Sequence, residues 1–302
     1  MARRLRIGVA CALGALAAGL GASPAPAGAS VPNPNWTALL PPLGSPTQPQ
    51  PRPVPYCRQP TMRCIDTEIQ RLTGLRDRLG CDHRGVFATT YLVLTRMLKR
   101  TLADDPDLFR YPRYLFTEDA LFANVYFDTF DAWAAGRPVA GAWRIAFETA
   151  RSGNVNAAQD MLLGINAHVQ NDMPFVLASL GLRTPSGQSR KGDHDAMNKV
   201  LNRAYAPVVH AVAKRYDSQV TLTNSSLTPV DDLGGLEMVR SWREGVWRNA
   251  ERLANARSDA ERWQIAQQIE ANAAAWARLM STPEEPGYRA QRDRYCRAQL
   301  RH

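Results

Sequence analysis

Met161, Ile165, His168 and Asp172 recur at steps of four, three and four residues. That spacing puts them on one continuous helix face, apolar in its first half and ionisable in its second. A histidine and an aspartate one turn apart can reach a common ligand, metal or water. Pro174 follows two residues later, and a proline kink frees carbonyls nearby. Asn166 and Asn171 add neutral donors and acceptors on flanking faces.

Two chemistries suit this face. In one, His168 is a metal ligand or proton carrier and Asp172 its co-ligand or orienting carboxylate. That would be a secreted hydrolase using a metal or a His–Asp pair inside a helical bundle. In the other, the cluster is a buried polar network with a binding or structural role. Asp172 then pairs with an arginine such as Arg144 or Arg243, and His168 is a hydrogen-bonded core histidine. The second is the preferred expectation, because most catalytic metals need three protein ligands. The chain has five histidines, one of them C-terminal. Asp82, His83, Asp193, His194 and Asp195 could complete a set, but no spacing brings them together. The H-x-x-x-D step also occurs among the zinc ligands of helical phospholipases C and S1-type nucleases. Those enzymes need further histidines and an N-terminal tryptophan that have no match here. No cofactor is assigned, and whether the chain is an enzyme stays open.

Candidate ligand-binding residues are Asn166, Asn198, Arg243 and Glu244. Arg243 and Glu244 stand beside Trp242 and Trp247, where an ion-paired packing face is preferred over a pocket wall. His194, between two aspartates, is expected as part of a solvated helix cap.

The elements that must position these residues are helical from residue 62 onward. Met62, Ile65, Ile69, Leu72 and Leu79 predict a first helix. Asp82 can cap a second, Thr117 a third and Asp193 a sixth. A fourth covers Trp143 to Glu148, and a fifth runs from about Asn156 to Leu180, kinked by Pro174. A seventh spans about 235–256, and Ser258 with Glu261 offers a capping box for an eighth. A short helix ends near Cys296. Residues 219–223 are the one β-like run. The result is a single all-α, bundle-like domain of about eight helices over residues 61–302. It has no G-x-S-x-G elbow, no H-E-x-x-H pair and no Gly-rich phosphate loop in strand context.

Asp82, His83 and Arg84 with Phe87, Tyr91 and Thr95 form one part of a recognisable pattern. The run Met161 to Pro174, then Asn198, Arg243, Glu244 and Trp247, complete it. The pattern resembles a bacterial, mainly actinobacterial, domain-of-unknown-function family, DUF5995, over roughly residues 66–255. Its most specific part is Gly164-x-Asn166-Ala-His168-x-x-x-Asp172-x-Pro174. The resemblance implies a helical domain and supplies no established reaction.

Residues 1–29 read as a signal peptide. Arg3, Arg4 and Arg6 precede the apolar run Ile7–Leu20, and Ala27, Gly28 and Ala29 offer a cleavage site. Removing three arginines lowers the net charge from +9 to +6. Residues 31–60 hold ten of the 21 prolines, and 30–60 is expected to be a disordered linker. A secreted or extracytoplasmic protein follows, with no transmembrane anchor after cleavage. The remaining basic charge is almost all arginine, dispersed among acids, which argues against nucleic acid as a partner. Composition excludes wholesale disorder, with 45% hydrophobic and 22% charged residues.

Four cysteines remain after cleavage. Along one helix Cys64 and Cys81 would lie roughly 25 Å apart, at about 1.5 Å per residue, whereas a disulfide needs Cα atoms within about 7 Å. Of the three possible pairings this disfavours the one with Cys64–Cys81, and the favoured pairing is Cys57–Cys64 with Cys81–Cys296.

Overall fold

In the computed structural model, residues 47–221, 230–284 and 287–301 are described. The expected signal peptide, residues 1–29, and most of the proline-rich segment lie outside them. Helix α1 (Met62–Leu79) buries Cys64, Ile65, Leu72 and Leu75 on one stripe, together with Glu68. It stops at Gly80, whose φ of +57° is a conformation that favours glycine. In α2 (Arg84–Asp104) every residue from Gly85 to Leu92 is buried, so this helix runs through the middle of the domain. Helix α3 (Pro112–Ala134) opens on a proline, whose missing N–H costs nothing in a first turn. Helix α4 (Gly141–Ser152) ends at Gly153 in the left-handed conformation.

Helix α5 (Ala157–Asn166) opens with a capping box between Asn156 and Gln159. It continues through a π-helical segment, Ala167–Asp172, into α6 (Met173–Leu180). The wide turn has a covalent cause. Pro174 has no N–H to give the carbonyl of Gln170, and its ring would clash with that carbonyl in a tight helix. The N–H of Met173 instead reaches back five residues to the carbonyl of His168. The expected kink at Pro174 is thus a π turn ahead of it.

Helices α7 (Lys191–Arg215), α8 (Val230–Asn255), α9 (Asp259–Met280) and α10 (Tyr288–Gln299) complete the domain. Helix α2 packs between α1 and α7, while α9 lies along α4, α5 and the π segment. The largest core joins Phe87, Leu92, Tyr126, Trp143, Leu163, Val176 and Trp247. The described residues contain no strand beyond one isolated bridge, Arg183 with Ser189. No helix among them is long and apolar enough to cross a membrane.

Both disulfides follow the favoured pairing, with Cα–Cα separations of 5.2 Å for Cys57–Cys64 and 5.8 Å for Cys81–Cys296. Several local expectations are corrected. Thr117 lies inside α3, its hydroxyl donating to the carbonyl of Arg113. Asp193 lies in the first turn of α7 and accepts instead from the backbone N–H groups of Arg110 and Tyr111. Asp82 accepts from the N–H of Arg84, the first residue of α2, but the N-cap position is His83. Ser258 caps α9, but Glu261 reaches the N–H of Arg257. The β-like run begins in a 3-10 turn, Ser218–Thr221, and its last two residues lie outside those described. Residues 47–60 are held against the helices: Thr47 donates to Glu270, and Val54 and Cys57 are buried.

Candidate functional site

His168 stands in the π segment with its imidazole 2% exposed. Its Nδ1 lies 3.0 Å from Oδ2 of Asp172. Asp172 also accepts from Trp143 Nε1–H at 2.8 Å and from the Asn171 side-chain amide at 2.8 Å. Three donors therefore converge on one buried carboxylate, and none comes from an arginine. This corrects the expected pairing. Arg144 bonds Glu148 at the surface. Arg243 is buried but points its guanidinium at Asn198, the carbonyl of His194 and the sulfur of Met173. Neutral donors suffice because charge-assisted hydrogen bonds to a carboxylate are the strong kind.

Burial holds the His168 imidazole below its ordinary range, with the Asp172 hydrogen bond opposing. The ring is therefore neutral near pH 7. With Asp172 accepting at Nδ1, the proton sits on Nδ1 and the lone pair on Nε2. Nε2 is buried and has no partner. The imidazole lies flat on Phe122, with ring centroids 3.5 Å apart, and edge-on to Phe87. Phe87 reaches this position because Gly164 has no side chain; a Cβ there would stand 2.4 Å from the phenylalanine ring.

His168 forms part of the wall of a cavity of about 280 Å³. Most of the wall is apolar, including Leu94, Leu98, Met161, Ile165, Leu201 and Val208 from α2, α5 and α7. The polar groups are few: Tyr91, Glu118, Asp119, His168 and Arg243 are among them. Asp172 stands behind His168, outside the wall. The Tyr91 hydroxyl and Oδ2 of Asp119 are buried without partners. Behind Asp119 lies Glu68, and burial together with the neighbouring Asp119 carboxyl pushes Glu68 well above the carboxylate range. Burial also raises Asp119. Glu118 is pushed up to about 7 by burial, opposed by Arg243. Arg243 is drawn down to about 10 by burial.

The structure thus joins His168, Asp172 and Asn171 and brings Arg243 to the same cavity. The other candidates go elsewhere. Asn166 donates to the carbonyl of Ala273 and accepts from Gln170 in the core. Asn198 serves Arg243. Glu244 lies at the surface between Lys191 and Arg248. Trp242 and Trp247 are buried packing residues. His194 is buried rather than solvated, its Nε2 3.0 Å from the Arg243 carbonyl. His83 forms a separate buried pair with Asp160 at 2.5 Å. Among the described residues no three His, Cys, Asp or Glu side chains stand close enough together to hold a metal.

Tyr91, Glu68, Glu118 and Asp119 were not anticipated as site residues. Glu68 carried a signal: it stands three residues after Ile65 and four before Leu72, a charge within an apolar stripe.

The chain is an all-α domain built round an apolar cavity with an ionisable end. A model of a family of unknown function, DUF5995, matches residues 65–283, and the chain belongs to that family. The match runs through α9, leaving α10 and Cys296 beyond it. No curated protein and no solved structure matches the chain.

Proposed function

We propose that the domain binds a small apolar molecule in the cavity between α2, α3, α5, α7 and α8. The molecule's polar end meets His168. One observation carries this reading: a buried imidazole, hydrogen-bonded through Nδ1 to Asp172 and with Nε2 unpartnered, lines a mostly apolar cavity. Unpartnered buried polar atoms are costly, and a ligand group that pairs with them recovers that cost. The cavity volume, about 280 Å³, lies near the lower end for ligand sites.

A hydrolytic reading rests on the same pair. An Asp-oriented neutral imidazole is the arrangement of a general base, and His168 would draw a proton from a bound water or hydroxyl. Binding is the better supported of the two, since the metal form of the hydrolase finds no third ligand among the described residues. The reading includes export. The two disulfides suit an oxidising compartment, and intact-mass measurement of secreted protein should give a chain starting near Ser30.

The binding test uses an uncharged, environment-sensitive naphthalene dye on detergent-free protein. The parent should bind one equivalent. Leu201→Trp, which fills the cavity from α7, should lose it while keeping its helical circular dichroism. Equal binding by parent and variant, or by neither, contradicts the reading.

A further inference from the structure

Resting on the cavity reading above, we infer that the ligand is an alcohol: an apolar body whose hydroxyl is held between His168 and Tyr91. The inference comes from counting donors against acceptors at the polar end. Nε2 of His168 is an unpartnered acceptor. The Tyr91 hydroxyl, also unpartnered, belongs to a residue 4% exposed whose ring lies 5.0 Å from the imidazole. The other donors are mostly engaged. The Arg243 guanidinium is engaged by Asn198, the carbonyl of His194 and Met173. The hydroxyls of Thr90 and Thr95 donate to backbone carbonyls one turn back.

A carboxylate ligand can only accept, so it would leave Nε2 of His168 unpaired, and it would stand near the Glu118 carboxyl. An ammonium would need a strong negative charge to offset its desolvation. Burial favours the protonated forms of Glu68 and Asp119, which weakens that charge. An ether or ester can accept but leaves Nε2 unpaired. A hydroxyl donates to Nε2 of His168 and accepts from the Tyr91 phenol, so it satisfies both groups with one atom. The cavity of about 280 Å³ has room for about nine groups of roughly 30 Å³ each. That is about the size of a medium-length alkyl chain with its head group, for which a ten-carbon series is the probe.

The experiment is calorimetric titration of the full exported chain with 1-decanol, decyl methyl ether, decanoate and decylamine at pH 7.5. Decanol should bind at least about tenfold tighter than each of the others, as expected of a site built to pair a hydroxyl. Tyr91→Phe, which keeps the ring, should lower decanol affinity about fivefold. If the ether matches decanol, or if the acid or the amine binds tightest, the alcohol assignment falls while the cavity reading stands. If none of the four binds, the cavity reading itself fails.

Discussion

Asp172 accepts from His168, Trp143 and Asn171 on two oxygens, all of them buried. Asp172→Ala strands three donors, so it should cost about 3–5 kcal/mol, more than the about 1–3 kcal/mol expected for His168→Ala. Urea unfolding of the two variants gives the order directly. Glu118 makes a pH prediction. Its carboxyl, ordinarily near 4.5, is pushed to about 7 in the folded chain. Between those values the folded state keeps a proton that the unfolded chain has lost, so its contribution to stability falls as pH rises. Glu118→Gln removes that contribution. The stability of the parent relative to the variant should drop by about 2–3 kcal/mol between pH 5 and pH 8. His168 and His194 resist protonation and act in the opposite sense below their ordinary range. They are common to both proteins, so the comparison cancels them. At this scale the His168–Asp172 face was legible, because a four-residue step fixes neighbours on any helix. Glu118 and Asp119 were not, because starting the third helix at Thr117 placed them in a capping turn. The true start at Pro112 puts Leu115, Glu118, Asp119 and Phe122 on one inward face.

Helix α5 meets α2 through a missing side chain. Gly164→Ala would drive a Cβ into Phe87 at 2.4 Å, and the ring has Tyr126, Trp143 and His168 on its other sides. The substitution should cost about 1–3 kcal/mol by overpacking and weaken dye binding, since Phe87 also lines the cavity. Thermal unfolding and the dye titration check both parts; an unchanged midpoint would show that the two helices can part freely. Most helices were readable from apolar recurrence and from their glycine and proline stops. The π segment was not, since one extra residue in a single turn barely disturbs a 3.6-residue count over so short a stretch. Asp193 and Thr117 misled for a shared reason. A side chain suited to capping serves equally well inside a first turn or further along, once other backbone amides or a carbonyl one turn back are in reach.

The disulfides act on the whole molecule, and their pairing was legible in part, because helix rise keeps Cys64 from Cys81 and leaves two pairings. They differ in the loop they close: the sequence separation is 7 residues for Cys57–Cys64 and 215 for Cys81–Cys296. Replacing Cys81 and Cys296 by serine should therefore cost about 3–5 kcal/mol, against about 2 kcal/mol for the short bridge. Urea unfolding of the two double variants checks the ranking, and a larger loss from the short bridge would reverse the loop argument. Which helices surround the cavity was beyond a reading of periodicity, because the placing of α2 between α1 and α7 depends on contacts far apart in the chain. The central claim is that a neutral His168, locked by Asp172, offers Nε2 to a ligand in that cavity. Nitrogen NMR of protein carrying ¹⁵N-labelled histidine tests it most directly, with His168 assigned by its loss in His168→Gln. At pH 7.5 the ring should show one protonated and one bare nitrogen, and only the bare one should shift as 1-decanol is added. A doubly protonated ring at that pH, or a bare nitrogen unmoved by saturating decanol, would contradict it.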